Sequence, residues 1–255
     1  MTIKVRYLSE DEIERDTALL LAEYEETAGA PVGLPIPVAD ITTYHLALRL
    51  GFADLHQTLG IPMLRDQPDI LGAIWINQEA VLIDRSLDPK DNPSMLGRYR
   101  YSVGHEIGHW RLHRSYVAKD ADQISLFDTQ SEPTVICRSS QAKEPIEWQA
   151  DFFSSCLLMP RRRVHDEWKE RLGRTRPLLL SDLRPTGQVV MRAQTLIYEQ
   201  GRNESAAVDD ALFESVAQPI ARRFGVSPVA MRIRLERLGL LLRQPPKQTS
   251  LTVGP

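Results

Sequence analysis

Two histidines four residues apart, with a glutamate directly after the first, stand in Val103-Gly104-His105-Glu106-Ile107-Gly108-His109-Trp110. On a helix, positions i and i+4 share one face, so the neutral imidazoles of His105 and His109 can reach a single metal ion. The helical period turns Glu106 about 100° away from His105. It therefore escapes ligation and stands where a general base would take a proton from an activated water. The plainer reading is an amphipathic helix with solvated histidines, or core histidines satisfied by their neighbours. A third ligand separates the two readings.

A catalytic zinc site takes three protein ligands and keeps one position for water or substrate. The metzincin pattern fails, because Ser115 occupies the place of its third histidine. His113 makes the next i+4 step, but its rise of about 6 Å from His109 makes a tight tripod difficult; it reads as a supporting or packing residue. The better source is the helix-length segment from Pro145 to Met159, closed by Pro160. Glu147, 42 residues after His105, is the expected third ligand. Asp151 follows on the same face, placed to accept the outer N–H of a ligand histidine and so fix its tautomer. Ala150 leaves room between the helices, and Phe153, Leu157 and Leu158 make a buried stripe. An ordinary amphipathic helix with a solvated acidic face is the alternative.

The run from Arg98 to Arg114, followed by Glu147-Trp148-Gln149-Ala150-Asp151 and Leu157-Leu158-Met159-Pro160, resembles the ImmA/IrrE family of metallo-endopeptidases. The similarity is densest from about Leu71 to Pro160. That family is gluzincin-like, with H-E-x-x-H and a downstream glutamate. The resemblance implies that His105, His109 and Glu147 bind zinc and that Glu106 is the catalytic glutamate. It further implies a protein substrate, a helix-turn-helix repressor whose cleavage releases stress or mobile-element genes, although substrate choice is not written in the zinc motif. Manganese is an alternative metal, since this ligand set tolerates several divalent ions.

The elements around these motifs can be sketched from local signals. A strand from Ile3 to Leu8 precedes a helix opened by a Ser9–Glu12 capping box and running to about Glu26. The proline- and glycine-rich stretch from Gly29 to Pro37 is a loop, and a second helix is expected to end at Leu50 before Gly51. Ile70–Ile76 and Ala80–Asp84 read as a hairpin around Asn77-Gln78-Glu79, expected to edge the cleft where a substrate strand could be added. A loop from Asp88 to Ser94 leads into the motif helix.

Beyond Pro160, the triplet Arg161-Arg162-Arg163 reads as a solvated helix start. A helix is expected near Val189–Tyr198 between loops. Then Pro219–Phe224, Gly225 and Ser227-Pro228 form a helix-turn-helix pattern whose second helix runs to Leu238. Arg222, Arg223, Arg232, Arg234 and Arg237 make it locally basic, so phosphate contact is the secondary expectation. The tail from Gln244 reads as disordered.

With 255 residues and 42% hydrophobic content, the chain can build one large core or a domain and a smaller one. A net charge of −3 gives no global attraction to nucleic acid. No apolar run approaches 18 residues and no signal peptide opens the chain, so a cytoplasmic protein without membrane partners is expected. Two cysteines, Cys137 and Cys156, make no disulfide framework. Cys137 reads as a small buried hydrophobe, with an inhibitory thiolate ligand as the minor alternative.

The expectation is an α+β fold: a zincin-like peptidase domain with a small mixed sheet at residues 1–170, a helical, helix-turn-helix-like region at 171–243, and a tail at 244–255. The function read here is zinc-dependent endopeptidase. The rival is a DNA-binding regulator with a structural or vestigial zinc site, against which the non-ligating Glu106 argues. Tyr101, Tyr116 and His113 are candidates for the donor that stabilises the oxyanion.

Overall fold

The computed structural model describes residues 5–63, 70–121, 135–138 and 144–245. The Cys137 side chain and the tail beyond residue 245 lie outside the described residues, as do the expectations that fall on them. The fold is α+β, mostly helical, and divides into two compact units, Met1–Pro160 and Arg161–Pro255.

In the first unit, residues 5–8 are irregular where a strand was expected. Helix α1 (Glu10–Ala28) starts at the capping box: Glu12 N donates to the Ser9 hydroxyl, and Ser9 N donates to the Glu12 carboxylate at 2.8 Å. After a helical turn α2 (Val38–Asp40) and a π-helical turn at Ile41–His45 comes strand β1 (Arg49–Ala53). This corrects the second helix, since Leu50 and Gly51 belong to the strand. The cause is tertiary. β1 pairs in parallel with β3 (Ala80–Asp84), Arg49 N donates to Glu79 O at 2.8 Å, and a Cβ on Gly51 would meet Leu82 Cδ2 at 3.2 Å. Local helix propensity loses to a waiting strand partner.

A short helix α3 (Leu55–Leu59), capped by Asp54, leads towards β2 (Ile70–Trp75), which pairs antiparallel with β3 as the hairpin reading expects. Ile76–Gln78 forms the turn, and Glu79 takes a left-handed φ of 52° to re-enter the strand. The sheet order is β1-β3-β2-β4, where β4 (Val135–Arg138) pairs with β2. Both hairpin strands are interior to the sheet among the described residues, and the hairpin borders the motif helix as expected: Gly72 of β2 lies against Glu106. The edges are β1 and β4.

Helix α4 (Leu96–Ala121) crosses the sheet and packs on α5 (Pro145–Leu158). Two glycines allow this approach: a Cβ on Gly108 would lie 3.0 Å from Ala150 Cα, and one on Gly104 would lie 3.3 Å from Ser154 Cβ. Val103, Ile107, Ile74, Phe153 and Leu157 are fully buried around this contact. Each such side chain contributes about 1.5–3 kcal/mol of burial.

The second unit comprises α6 (Arg161–Leu172), β5 (Leu178–Leu179), α7 (Gly187–Gln200), α8 (Glu204–Phe224), α9 (Pro228–Arg237) and β6 (Leu241–Leu242), with β5 and β6 parallel. The helix expected to begin at Pro219 begins at Glu204 instead and runs through the proline. Pro219 is on the exposed side, so the carbonyl it orphans faces water, while buried Ala217, Ile220, Ala221 and Phe224 hold the helix down. Gly225, at φ 62°, ends α8, and the Ser227 hydroxyl accepts from Ala230 N to open α9. This turn is as the sequence pattern reads.

Candidate metal centre

α4 and α5 bring three donor atoms to one point. His105 Nε2 lies 2.9 Å from His109 Nε2 and 3.1 Å from Glu147 Oε2, and His109 Nε2 lies 3.5 Å from Glu147 Oε1. The three residues are buried and can hold a metal ion, with their donor atoms all within 4.8 Å of one another. Three lone-pair-bearing atoms so close in a dry interior repel unless a cation or a shared proton lies among them. Burial favours the uncharged form of the Glu147 carboxyl, but the imidazoles of His105 and His109 against it outweigh burial and hold the pKa at about 2. Burial lowers the pKa of His109 and keeps that ring neutral, the form that ligates metal.

Glu106 has both carboxylate oxygens buried with no hydrogen-bond partner among the described residues. Burial pushes its pKa up to about 8, the His105 charge opposes the rise, and the Glu147 charge adds to it. A cation beside it would pull that value down. The close neighbour of this side chain is β2: a Cβ on Gly72 would come within 3.3 Å of Glu106 Cγ, so the strand can lie against the glutamate only because residue 72 is glycine. An orphaned carboxylate next to three converging donors is the observation that fits a divalent cation with an open position.

Asp151 Oδ1 lies 2.9 Å from His105 Nδ1, and it also accepts from the Tyr101 hydroxyl at 3.0 Å. His113 Nδ1 lies 3.0 Å from His109 Nδ1, and its Nε2 lies 3.1 Å from Gln149 Oε1. Burial pushes His113 down to about 3, with His109 adding, so it is neutral. Of the oxyanion candidates, Tyr101 is engaged with Asp151 and His113 with His109 and Gln149. Gln149, Gly72 and the Gly104/Gly108 pair went unread in the sequence. The two glycines at i and i+4 on the motif helix were the available sign of close helix packing.

The basic patch expected on the last helices is smaller than the sequence count. Arg232 and Arg234 are 7% and 1% exposed. Arg232 pairs with Glu236 at 2.8 Å and Asp210 at 3.2 Å, so it cannot also face a phosphate. Among the described residues no helix is long and apolar enough to cross a membrane.

Residues 91–179 match the model of a peptidase family described as an IrrE N-terminal-like domain. A solved structure described as a Mycobacterium tuberculosis transcriptional regulator is similar at a TM-score of 0.43 and 16% identity, over 92% of this chain. The match covers 49% of that chain, so this protein spans about half its length. No curated protein matches.

Proposed function

With an IrrE N-terminal-like domain at residues 91–179 as the premise, we propose that the chain is a zinc-dependent endopeptidase of the cytoplasm that cleaves a helix-turn-helix transcriptional repressor, and so induces the genes it silences. The single observation that carries the catalytic reading is Glu106, buried beside His105, His109 and Glu147 with no hydrogen-bond partner among the described residues. A structural metal site would have no use for a further, non-ligating carboxylate held so unfavourably.

His105, His109 and Glu147 would hold the ion, zinc by preference and manganese as the alternative. When bound, the cation supplies Lewis-acid activation of a water and of the scissile carbonyl. Glu106 takes the proton from the attacking water and passes it to the leaving amine, a transfer for which a carboxyl in a dry pocket is suited. Asp151 accepts the Nδ1 proton of His105 and turns its Nε2 towards the ion. Among the described residues the sheet edges are β1 and β4, so a peptide that adds a strand would join one of these.

The experiment is digestion of candidate helix-turn-helix repressors by purified, zinc-loaded chain, with Glu106→Gln as control. Cleavage by wild type alone bears the proposal out. Equal cleavage by the variant defeats the assigned base, and salt-dependent DNA binding without cleavage favours the regulator reading.

A further inference from the structure

The two histidines of the metal centre are oriented by unequal means. His105 Nδ1 faces the carboxylate of Asp151 at 2.9 Å. An ionised carboxylate only accepts, so the proton is on Nδ1 and the lone pair is on Nε2. His109 Nδ1 faces a second imidazole nitrogen, His113 Nδ1, at 3.0 Å. Nothing in that pair alone says which ring donates.

The polarity is set at Arg6, 143 positions before Gln149 in the chain. The Arg6 carbonyl can only accept, so the Gln149 group 2.9 Å from it is the amide NH2. That turns Gln149 Oε1 to His113 Nε2 at 3.1 Å, and because Oε1 only accepts, His113 carries its proton on Nε2. A neutral His113 then accepts at Nδ1, His109 donates from Nδ1, and the lone pair of His109 Nε2 is left facing His105 and Glu147. His109, His113 and Gln149 are each fully buried, so water cannot substitute for a missing member.

We infer that Gln149 and His113 are positioning residues that carry the fixed polarity of the Arg6 carbonyl to His109, holding it as the Nδ1–H tautomer with Nε2 presented to the metal before the metal arrives. The inference rests on the metal-centre reading and extends it. It makes the N-terminal segment part of the centre. That segment is anchored by Tyr7 as well, whose ring stacks on Trp148 at 6.1 Å between centroids and 8° between planes. Outer partners of ligand histidines govern ligand basicity and orientation, and their loss weakens metal affinity about 10–100-fold.

The test uses the full chain labelled with 15N-histidine and stripped of metal. Long-range 1H–15N correlation is expected to place the His109 proton on Nδ1; a proton on Nε2 overturns the relay without any variant being needed. Zinc affinity, measured by competition with a chromophoric chelator, is expected to fall about 10–100-fold in His113→Leu. Gln149→Leu should lose less, since His113 can then turn over its own tautomer. His113→Asn, which returns an acceptor near His109 Nδ1, should recover most of the affinity. If His113→Leu binds as wild type does, or His113→Asn is as weak as His113→Leu, the relay is wrong and only volume matters there. A wild-type chain that takes up no zinc overturns the centre itself, a distinct outcome.

Discussion

Two buried polar clusters sit in the two units of this chain and are built on opposite principles. In the second unit, Asp210 meets Arg243 at 2.6 Å, Arg232 at 3.2 Å and Arg202 at 3.3 Å, while Glu214 meets Arg192 and Glu236 meets Arg232, each at 2.8 Å. Every carboxylate there faces a guanidinium, and the pairs tie α7, α8 and α9 together. In the first unit, two imidazole nitrogens and the Glu147 carboxylate converge on one point, and Glu106 has no hydrogen-bond partner among the described residues. A cluster that neutralises itself holds a fold. One that concentrates acceptors without a cation has a place for one.

The comparison breaks most visibly at Glu106. Replacing it with Gln should lower proteolysis by about 10²–10⁴-fold, the range for a general base, and leave zinc affinity near that of wild type. Parallel loss of both would make Glu106 a ligand instead. In the other cluster, Asp210→Ala strips a shared partner from Arg202, Arg232 and Arg243 and should cost about 3–5 kcal/mol of stability by denaturant melts. Its zinc affinity should stay at the wild-type value, and a fall would show that the second cluster also serves the metal. Gly72→Ala presses a methyl group on the Glu106 carboxylate, so activity or stability should fall by the equivalent of about 1–3 kcal/mol. Gly97→Ala is the counterpart with open space around it. On the helix it should be neutral or stabilising by up to about 1 kcal/mol in a thermal melt.

The comparison also has a pH signature in the metal-free chain. Because burial raises Glu106 to about 8, the folded state keeps a proton that the unfolded state has released above the ordinary carboxyl value of 4.5. That contribution is full below 4.5 and is lost as pH rises through about 8; below 6.5 the neutral, buried His109 and His113 work in the opposite sense, so the decline is read between about 6.5 and 8. Urea melts of Glu106→Gln should lack the decline; an identical slope in both proteins would remove the buried, protonated carboxyl from the account.

What the sequence made legible follows from range. The H-E-x-x-H face, the Glu147–Asp151 face, the Ser9 capping box and the Ser227-Pro228 helix start are all written within one or two helical turns, where period and capping chemistry decide the outcome. The strands β1 and β4 were missed because their neighbours in the sheet, not their own residues, make them strands. The burial of Arg232 and Arg234 was missed for a related reason: a basic count says nothing about carboxylates on the preceding helix. Gln149 reaching Arg6 is the extreme case, a bond across 143 residues with no local sign.

The central claim is one cation held by His105, His109 and Glu147, and the direct measurement is metal content per chain after dialysis, compared between wild type and Glu147→Ala. The account predicts one tightly held zinc or manganese ion per wild-type chain and its loss from the variant. A wild-type chain that emerges metal-free after reconstitution, or a variant that keeps its ion undiminished, would contradict it.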